Sequence, residues 1–158
     1  MNLEAEAPKR EFLTCRLGEE TYAVDILQVQ EIREVNDVTR VPHVAPFVRG
    51  VINLRGAIVP IVDLGLMFGF PEPAKLHGAS AIVLDVEHRL VGLVVSSVSD
   101  VLGLTDDEIA PTPELGTRAI AAAIAGIGTR RDGAAGEAAS VLLLDVDYVM
   151  RRVREDKA

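Results

Sequence analysis

With 158 residues and 49% apolar side chains, the chain can bury a real core as one domain or two very small ones, which excludes disorder as its default state. Twenty-four acidic against sixteen basic residues leave a formal net charge of -8, which repels phosphate backbones and anionic headgroups and argues against nucleic acid as a partner. There is no Trp, aromatic content is 4%, and Cys15 is the one cysteine, so the core is aliphatic, an intramolecular disulfide is excluded and a reducing, cytoplasmic setting is expected.

Met1 to Arg10, with Glu4 and Glu6 against Lys9 and Arg10, lacks a long apolar stretch, unlike a secretory signal or a membrane anchor. Glu11 to Leu17 and Tyr22 to Asp25, joined by the polar turn Gly18-Glu19-Glu20, read as a hairpin. Ile26 to Val35 mixes near-helical with alternating spacing and predicts a brief helical turn running into a strand. The most apolar region, Phe47 to Phe70, is interrupted by Arg49, Asn53, Arg55, Pro60 and Asp63, which rules against a membrane span, so no direct membrane insertion is expected. It divides instead into strands Val48 to Leu54 and Ala57 to Val62 around an Arg55-Gly56 turn, glycine supplying the positive φ. Pro60 cannot donate a ladder hydrogen bond, so its strand is expected at an edge or beside a bulge. Leu64 to Phe70 reads as a short helix stopped by Gly69 and Pro71.

The pattern then returns. Ser80 to Val86 and Leu90 to Val95 flank a polar turn at Glu87, His88 and Arg89. Laying Tyr22 to Ile32 over Val91 to Val101 without gaps aligns Val29 with Val98, Glu31 with Asp100 and Ile32 with Val101, and the same offset sets Pro42 over Pro111. Ala125 to Gly128 echoes Gly50 to Gly56, and Val141 to Val146 followed by Asp147 to Arg154 echoes Ile58 to Phe70. Short strands at regular spacing predict an all-β chain of two alike small barrels with a few short helices, sharing an interface. Thr129 to Ala139, rich in Gly, Ala and charge, is expected to be a mobile surface loop of the second barrel.

Catalytic constellations are absent at the level of motifs. His43, His77 and His88 lie far apart without ligand-spaced partners, so no metal site is expected and all three read as solvated turn or loop residues. Gly128 to Gly133 has Walker A glycine spacing, but Ala134 and Ala135 stand where Lys and Ser or Thr are needed. Ser80 lacks the second glycine of a nucleophile elbow, and Ser96, Ser97 and Ser99 have no activating neighbour in sequence. Thr105-Asp106-Asp107-Glu108 fits a capping box better than paired catalytic carboxylates.

Three blocks then carry a resemblance: FVRGVINLRGAIVPIVDL from Phe47 to Leu64, EFLTCRLGEETYAVDILQVQEI from Glu11 to Ile32, and VGLVVSSVSDVLGLT from Val91 to Thr105. In that order, from Glu11 to about Met150, the chain resembles the CheW-like domain family of chemotaxis coupling proteins. The resemblance implies one CheW-like domain over 11–158, made of two SH3-like five-stranded β-barrel subdomains. The first is expected over about 11–75 and the second over about 78–150, with terminal elements able to cross between them. It implies an adaptor without catalytic activity or cofactor, cytoplasmic and recruited to membrane-associated chemoreceptor arrays. Its partners would be the regulatory domain of a CheA-type histidine kinase, the cytoplasmic tip of methyl-accepting chemoreceptors and other CheW-like domains.

Carried across by position, Val29, Glu31, Ile32, Gly50, Arg55, Gly92 and Val101 are the expected receptor-binding set. Val38, Arg40 and Arg49 are the expected kinase-binding set, apolar surface ringed by charge. Other readings stay open: Arg55 as a solvated turn tip, Gly50 and Gly92 as packing glycines, and the kinase set as ordinary surface positions. The Thr129–Ala139 loop is longer than the compact family pattern and bears on how closely the second barrel approaches a neighbour. Two further functions fit the residues: a CheW-like adaptor of a non-flagellar chemosensory pathway serving pili, development or attachment, and a small β-barrel enzyme or ligand-binding protein.

Overall fold

The computed structural model describes residues 9–112, 122–130 and 139–155. The chain opens with hairpin β1 (Arg10–Leu17) and β2 (Glu20–Asp25), turned at Gly18 with φ 62°. Asp25 then caps a 3-10 turn over Ile26–Gln28, accepting from the Leu27 N–H at 2.9 Å, and the turn runs directly into β3 (Val29–Glu34) as the mixed periodicity predicts. β4 (Val48–Leu54) and β5 (Ala57–Asp63) form the second hairpin, followed by α1 (Leu64–Met67). Asp63 caps α1 at its start. At its end Gly69, at φ 96°, lets the Gly69 and Phe70 N–H groups fold back to the Leu66 and Gly65 carbonyls.

The order then repeats. β6 (Ser80–Val86) and β7 (Arg89–Val95) make a hairpin, β8 (Ser97–Leu104) follows, and a 3-10 turn at Asp106–Glu108 leads to the two-residue β9 (Ile109–Ala110). β10 (Ile124–Arg130), β11 (Ala139–Leu144) and α2 (Val146–Glu155) complete the described chain. Asp145 caps α2 through the Tyr148 N–H at 3.0 Å, as Asp63 caps α1.

The strands form two sheets, in the orders β8-β1-β2-β11-β10-β9 and β3-β6-β7-β5-β4. Each sheet takes its central hairpin from the other half of the chain. β1–β2 sits between β8 and β11, while β6–β7 sits between β3 and β5. The inserted hairpins join by the same two parallel ladders, β2 to β11 and β7 to β5. Closure is also matched: the chain leaving β3 bridges back to β4 at Thr39 and Val51, and the chain leaving β8 returns as β9 on β10. The fold is mostly β with a few short helices, as expected, one sheet gaining a sixth strand in β9. Strand pairing does not follow the division at residues 75–78, because β1 and β2 belong to the sheet of β8–β11.

This exchange explains the unbroken apolar runs. In β6, Ala81 and Val83 face one barrel interior with Val35, Ile52, Leu54, Val59 and Ile61, while Ile82, Leu84 and Val86 face outward into a core shared by both barrels. β1–β2 does the same, with Phe12 and Ala23 inside the other barrel beside Leu102, Leu104, Val141 and Leu143, and Leu13, Cys15, Tyr22 and Val24 in the shared core. A strand buried on both faces loses polar alternation. The shared core, closed by Phe47, Leu64, Phe68, Val149 and Met150, is the largest of the three among the described residues.

The edge position for β5 is corrected, and the loop expectation falls largely outside the described residues. β5 lies between β7 and β4 and is not an edge strand. Pro60 fits because the β7 ladder begins only at Ile61, and the register shift near it is on β4, between Val48 and Gly50. Most of the predicted Thr129–Ala139 loop, residues 131–138, lies outside the described residues, and Thr129 and Ala139 themselves are paired strand positions.

Candidate functional site

Along β3 the register shifts between Val29 and Glu31, a bulge that leaves Gln30 unpaired with β6. Such a bulge re-aims the side chains that follow it. Glu31 here reaches the β4–β5 turn, where the Arg55 guanidinium donates to its Oε1 at 2.5 Å, with Arg33 at 4.0 Å from Oε2. Arg55 is held at φ 51° by the turn, whose Gly56 N–H donates to the Asn53 side-chain oxygen at 2.8 Å. The pair is exposed, 65% at Arg55 and 26% at Glu31.

Apolar groups flank Glu31 on β3, and β8 carries their repeat counterparts. Val29 packs on the rim of the shared core, as does Val98, its repeat counterpart on β8. Ile32 and its counterpart Val101 are each about half exposed, at 49% and 48%. They occupy matched positions on the outer strands, Ile32 opposite Ile82 and Val101 opposite Leu13. At the corresponding bulge on β8, the Thr14 hydroxyl replaces lost ladder bonds, donating to the Asp100 carbonyl at 3.0 Å and accepting from its N–H at 3.1 Å.

The two remaining members of the predicted receptor set lie inside. Gly50 has φ 144°, and a Cβ there would strike the Thr39 carbonyl oxygen and come within 2.6 Å of Val38 Cγ1. Gly92 is buried, and a Cβ would meet Ile61 Cδ1 at 2.9 Å. Packing accounts for both glycines; neither offers a side chain to a partner.

Val38, Arg40 and Arg49 come together on one groove of about 730 Å³, also lined by Val41, His43 and Leu76. Arg49 turns inward: one guanidinium nitrogen donates to Asp63 Oδ2 at 3.0 Å and to the Ala74 carbonyl at 2.9 Å. Asp63, 2% exposed, also accepts from the N–H groups of Leu66 and Ala74. The expected ring of charge is thus reduced to Arg40, which has no ion-pair partner among the described residues.

Elsewhere the chemistry is structural. His43, His77 and His88 are exposed, and no group of three or more His, Cys, Asp or Glu positioned for a metal occurs among the described residues. Glu108 accepts from the Thr105 N–H at 2.8 Å, as a capping box requires, and the Thr105 hydroxyl holds the Asp107 carboxyl below its usual range. Burial pushes the Cys15 thiol up to about 12, away from the thiolate form. Burial raises Tyr22 too, with Glu20 and Cys15 adding to it. No helix among the described residues is long and apolar enough to cross a membrane.

Sequence reading missed Leu27, 90% exposed on the 3-10 turn, and Ile58, 60% exposed beside the Arg55 turn. Both sit in apolar runs that look like core. The helix read over Asp147 to Arg154 is present as α2, but its contact with the first half is missed: Arg152 lies 5.0 Å over the Phe47 ring near the groove. Nothing local to Arg152 signals that contact.

Two interlocked barrels with a shared core, an exposed charged edge and an external groove define a small β-scaffold. The chain belongs to the CheW-like domain family, whose model matches residues 11–154. It is 40% identical over 148 residues to the chemotaxis protein CheW of Klebsiella aerogenes, covering 94% of this chain and 86% of that one. Protein FrzA of Myxococcus xanthus is 28% identical over 156 residues, covering 97% of this chain and 93% of that one. Among solved structures, the scaffolding protein TtCheW of Thermoanaerobacter tengcongensis has a TM-score of 0.74 at 27% identity, covering 87% of this chain and 89% of that one.

Proposed function

We propose that the chain is a non-catalytic adaptor, cytoplasmic and recruited to membrane-associated arrays, that couples methyl-accepting chemoreceptors to the regulatory domain of a CheA-type histidine kinase. The observation that carries this reading is the family match across 11–154, joined to an exposed Glu31–Arg55 pair beside the half-exposed Ile32. The receptor's helical tip would lie along the outer strands, its apolar face on Val29, Ile32 and Val101. The kinase domain would take the groove of Val38 and Arg40. Each contact needs about 800 Å² per partner to reach standard size.

The exposed pair suits exchange of partners. In water such a pair is worth only ~0 to 1 kcal/mol, so Arg55 can leave Glu31 for a receptor carboxylate at little cost. The tight turn fixes the Arg55 backbone, which confines the ordering on binding to the side chain. Gly50 and Gly92 contribute by keeping the barrel walls close.

Calorimetric titration with the isolated regulatory domain of a CheA-type kinase from the same cell tests the reading. Saturable one-to-one binding is expected. Absence of heat at high concentration, with the chain folded, removes the kinase from the proposal.

A further inference from the structure

The groove of Val38 and Arg40 continues past the 42–47 loop. Ala45, Pro46 and Leu66 line it and also line a second recess of about 560 Å³, whose far wall is Arg152 and Glu155 of α2. The two recesses therefore share a floor, and the other half of the chain supplies the far wall.

Arg152 reaches from α2 to the loop that both recesses share. Its guanidinium lies 5.0 Å over the Phe47 ring and donates to the Tyr148 hydroxyl, one helical turn back, at 3.2 Å. Phe47 is buried and its carbonyl accepts from the Asp63 N–H at 2.7 Å, so the stacked ring is where the loop is tied into the barrel. Upstream, the loop holds His43 at φ 63°, a left-handed conformation unfavourable for a residue with a Cβ, and so needs anchoring at its end.

We propose that Arg152 is a positioning residue for the kinase-facing groove: by clamping Phe47 it sets the course of the 42–47 loop, and hence the placement of His43, Val44 and Ala45 opposite Arg40, which the Thr39–Val51 bridge already holds. This rests on the kinase reading above and deepens it. The occupant is the kinase regulatory domain, presenting apolar side chains flanked by carboxylates. Arg40 sets a positive charge at the rim of this groove, which favours an acidic partner, while the formal net charge of -8 on each copy opposes self-association.

The test titrates the intact wild-type chain, Arg152→Ala, Arg152→Lys and Arg40→Glu against the kinase regulatory domain and, separately, against a receptor-tip fragment, with thermal unfolding in parallel. Arg152→Ala should weaken kinase-domain binding roughly tenfold, the equivalent of a stacked cation and one hydrogen bond, and leave receptor binding unchanged. Arg152→Lys should recover part of the loss, because an ammonium keeps the attraction to the ring without the planar stack. Arg40→Glu should weaken kinase binding at least as much. Wild-type kinase affinity in Arg152→Ala overturns the proposal, and equal loss to both partners marks a general loosening and overturns it too. Should Arg152→Ala fail to fold, wild-type affinity in Arg152→Lys together with Arg40→Glu overturns it. A wild-type chain that binds no kinase domain defeats the underlying reading instead. Concentration-dependent self-association abolished by Arg40→Glu would assign the groove to a second copy and overturn it.

Discussion

Two of the arginine–carboxylate pairs in the first half of the chain look alike in sequence and differ in burial and in the number of partners they hold. Glu31 and Arg55 meet at 2.5 Å in the open, between a bulged outer strand and a turn. Arg49 and Asp63 meet at 3.0 Å under cover, where Asp63 also receives two backbone N–H groups and Arg49 also holds the Ala74 carbonyl. A buried pair is saturated with partners and fixes the protein to itself, whereas an exposed pair is cheap to break and leaves its charges available. In the proposed function partner binding draws on the exposed pair, while the buried pair shapes the groove.

The largest effect that would break this contrast is at Asp63. Asp63→Ala leaves the Arg49 guanidinium and the Ala74 and Leu66 N–H groups without their acceptor, and should cost about 3 kcal/mol or more in urea unfolding. A loss below ~1 kcal/mol would put it in the class of surface pairs.

Next come two hairpin turns in the left-handed region, Arg55-Gly56 at φ 51° and 90°, and Glu87-His88 at φ 52° and 68°. His88→Gly should raise stability by about 1 kcal/mol, since glycine adopts this conformation without strain. Arg55→Gly should give a similar gain while weakening receptor binding, so that stability and binding move in opposite directions. Parallel movement would deny Arg55 a partner role. Smaller still, a double-mutant cycle on Glu31→Gln and Arg55→Gln should return a coupling under ~1 kcal/mol to folding, and falling with added salt.

The smallest effect near neutrality is at Cys15. Its folded thiol ionises only at about 12 against an unfolded reference of 9.0, so between these values the unfolded chain has lost a proton that the folded one keeps. Stability should therefore be insensitive to this group below about pH 9 and fall as pH rises toward 12. Cys15→Ala should flatten that slope in a pH series of melts, and an unchanged slope would transfer it to Tyr22, shifted in the same sense.

Much of this architecture is legible in the sequence, for identifiable reasons. Hairpins show because Gly18, Gly56 and the 87–89 turn interrupt apolar runs, and the two halves show because Tyr22–Ile32 aligns with Val91–Val101 without gaps and the later elements echo in order. The exchange of β1–β2 for β6–β7 does not show, since periodicity reports which faces are buried and not which strand lies alongside. The Glu31–Arg55 site was reached through family positions, and the structure supplies its bulge and turn. Arg49 is read from sequence as a surface charge because its acceptor Asp63 is fourteen residues away and approaches only after β4 and β5 pair. Arg152 is invisible for a stronger version of the same reason, its ring partner lying in the opposite half of the chain.

The measurement that bears most directly on the contrast is calorimetric binding of a receptor-tip fragment to the wild-type chain and to Arg55→Asp, with melting followed on the same samples. A charge reversal at an exposed turn should weaken receptor binding by roughly tenfold or more while the melting temperature stays within a few degrees of wild type. An unfolded variant would make Arg55 structural like Arg49, and a folded variant with undiminished affinity would place the receptor site elsewhere.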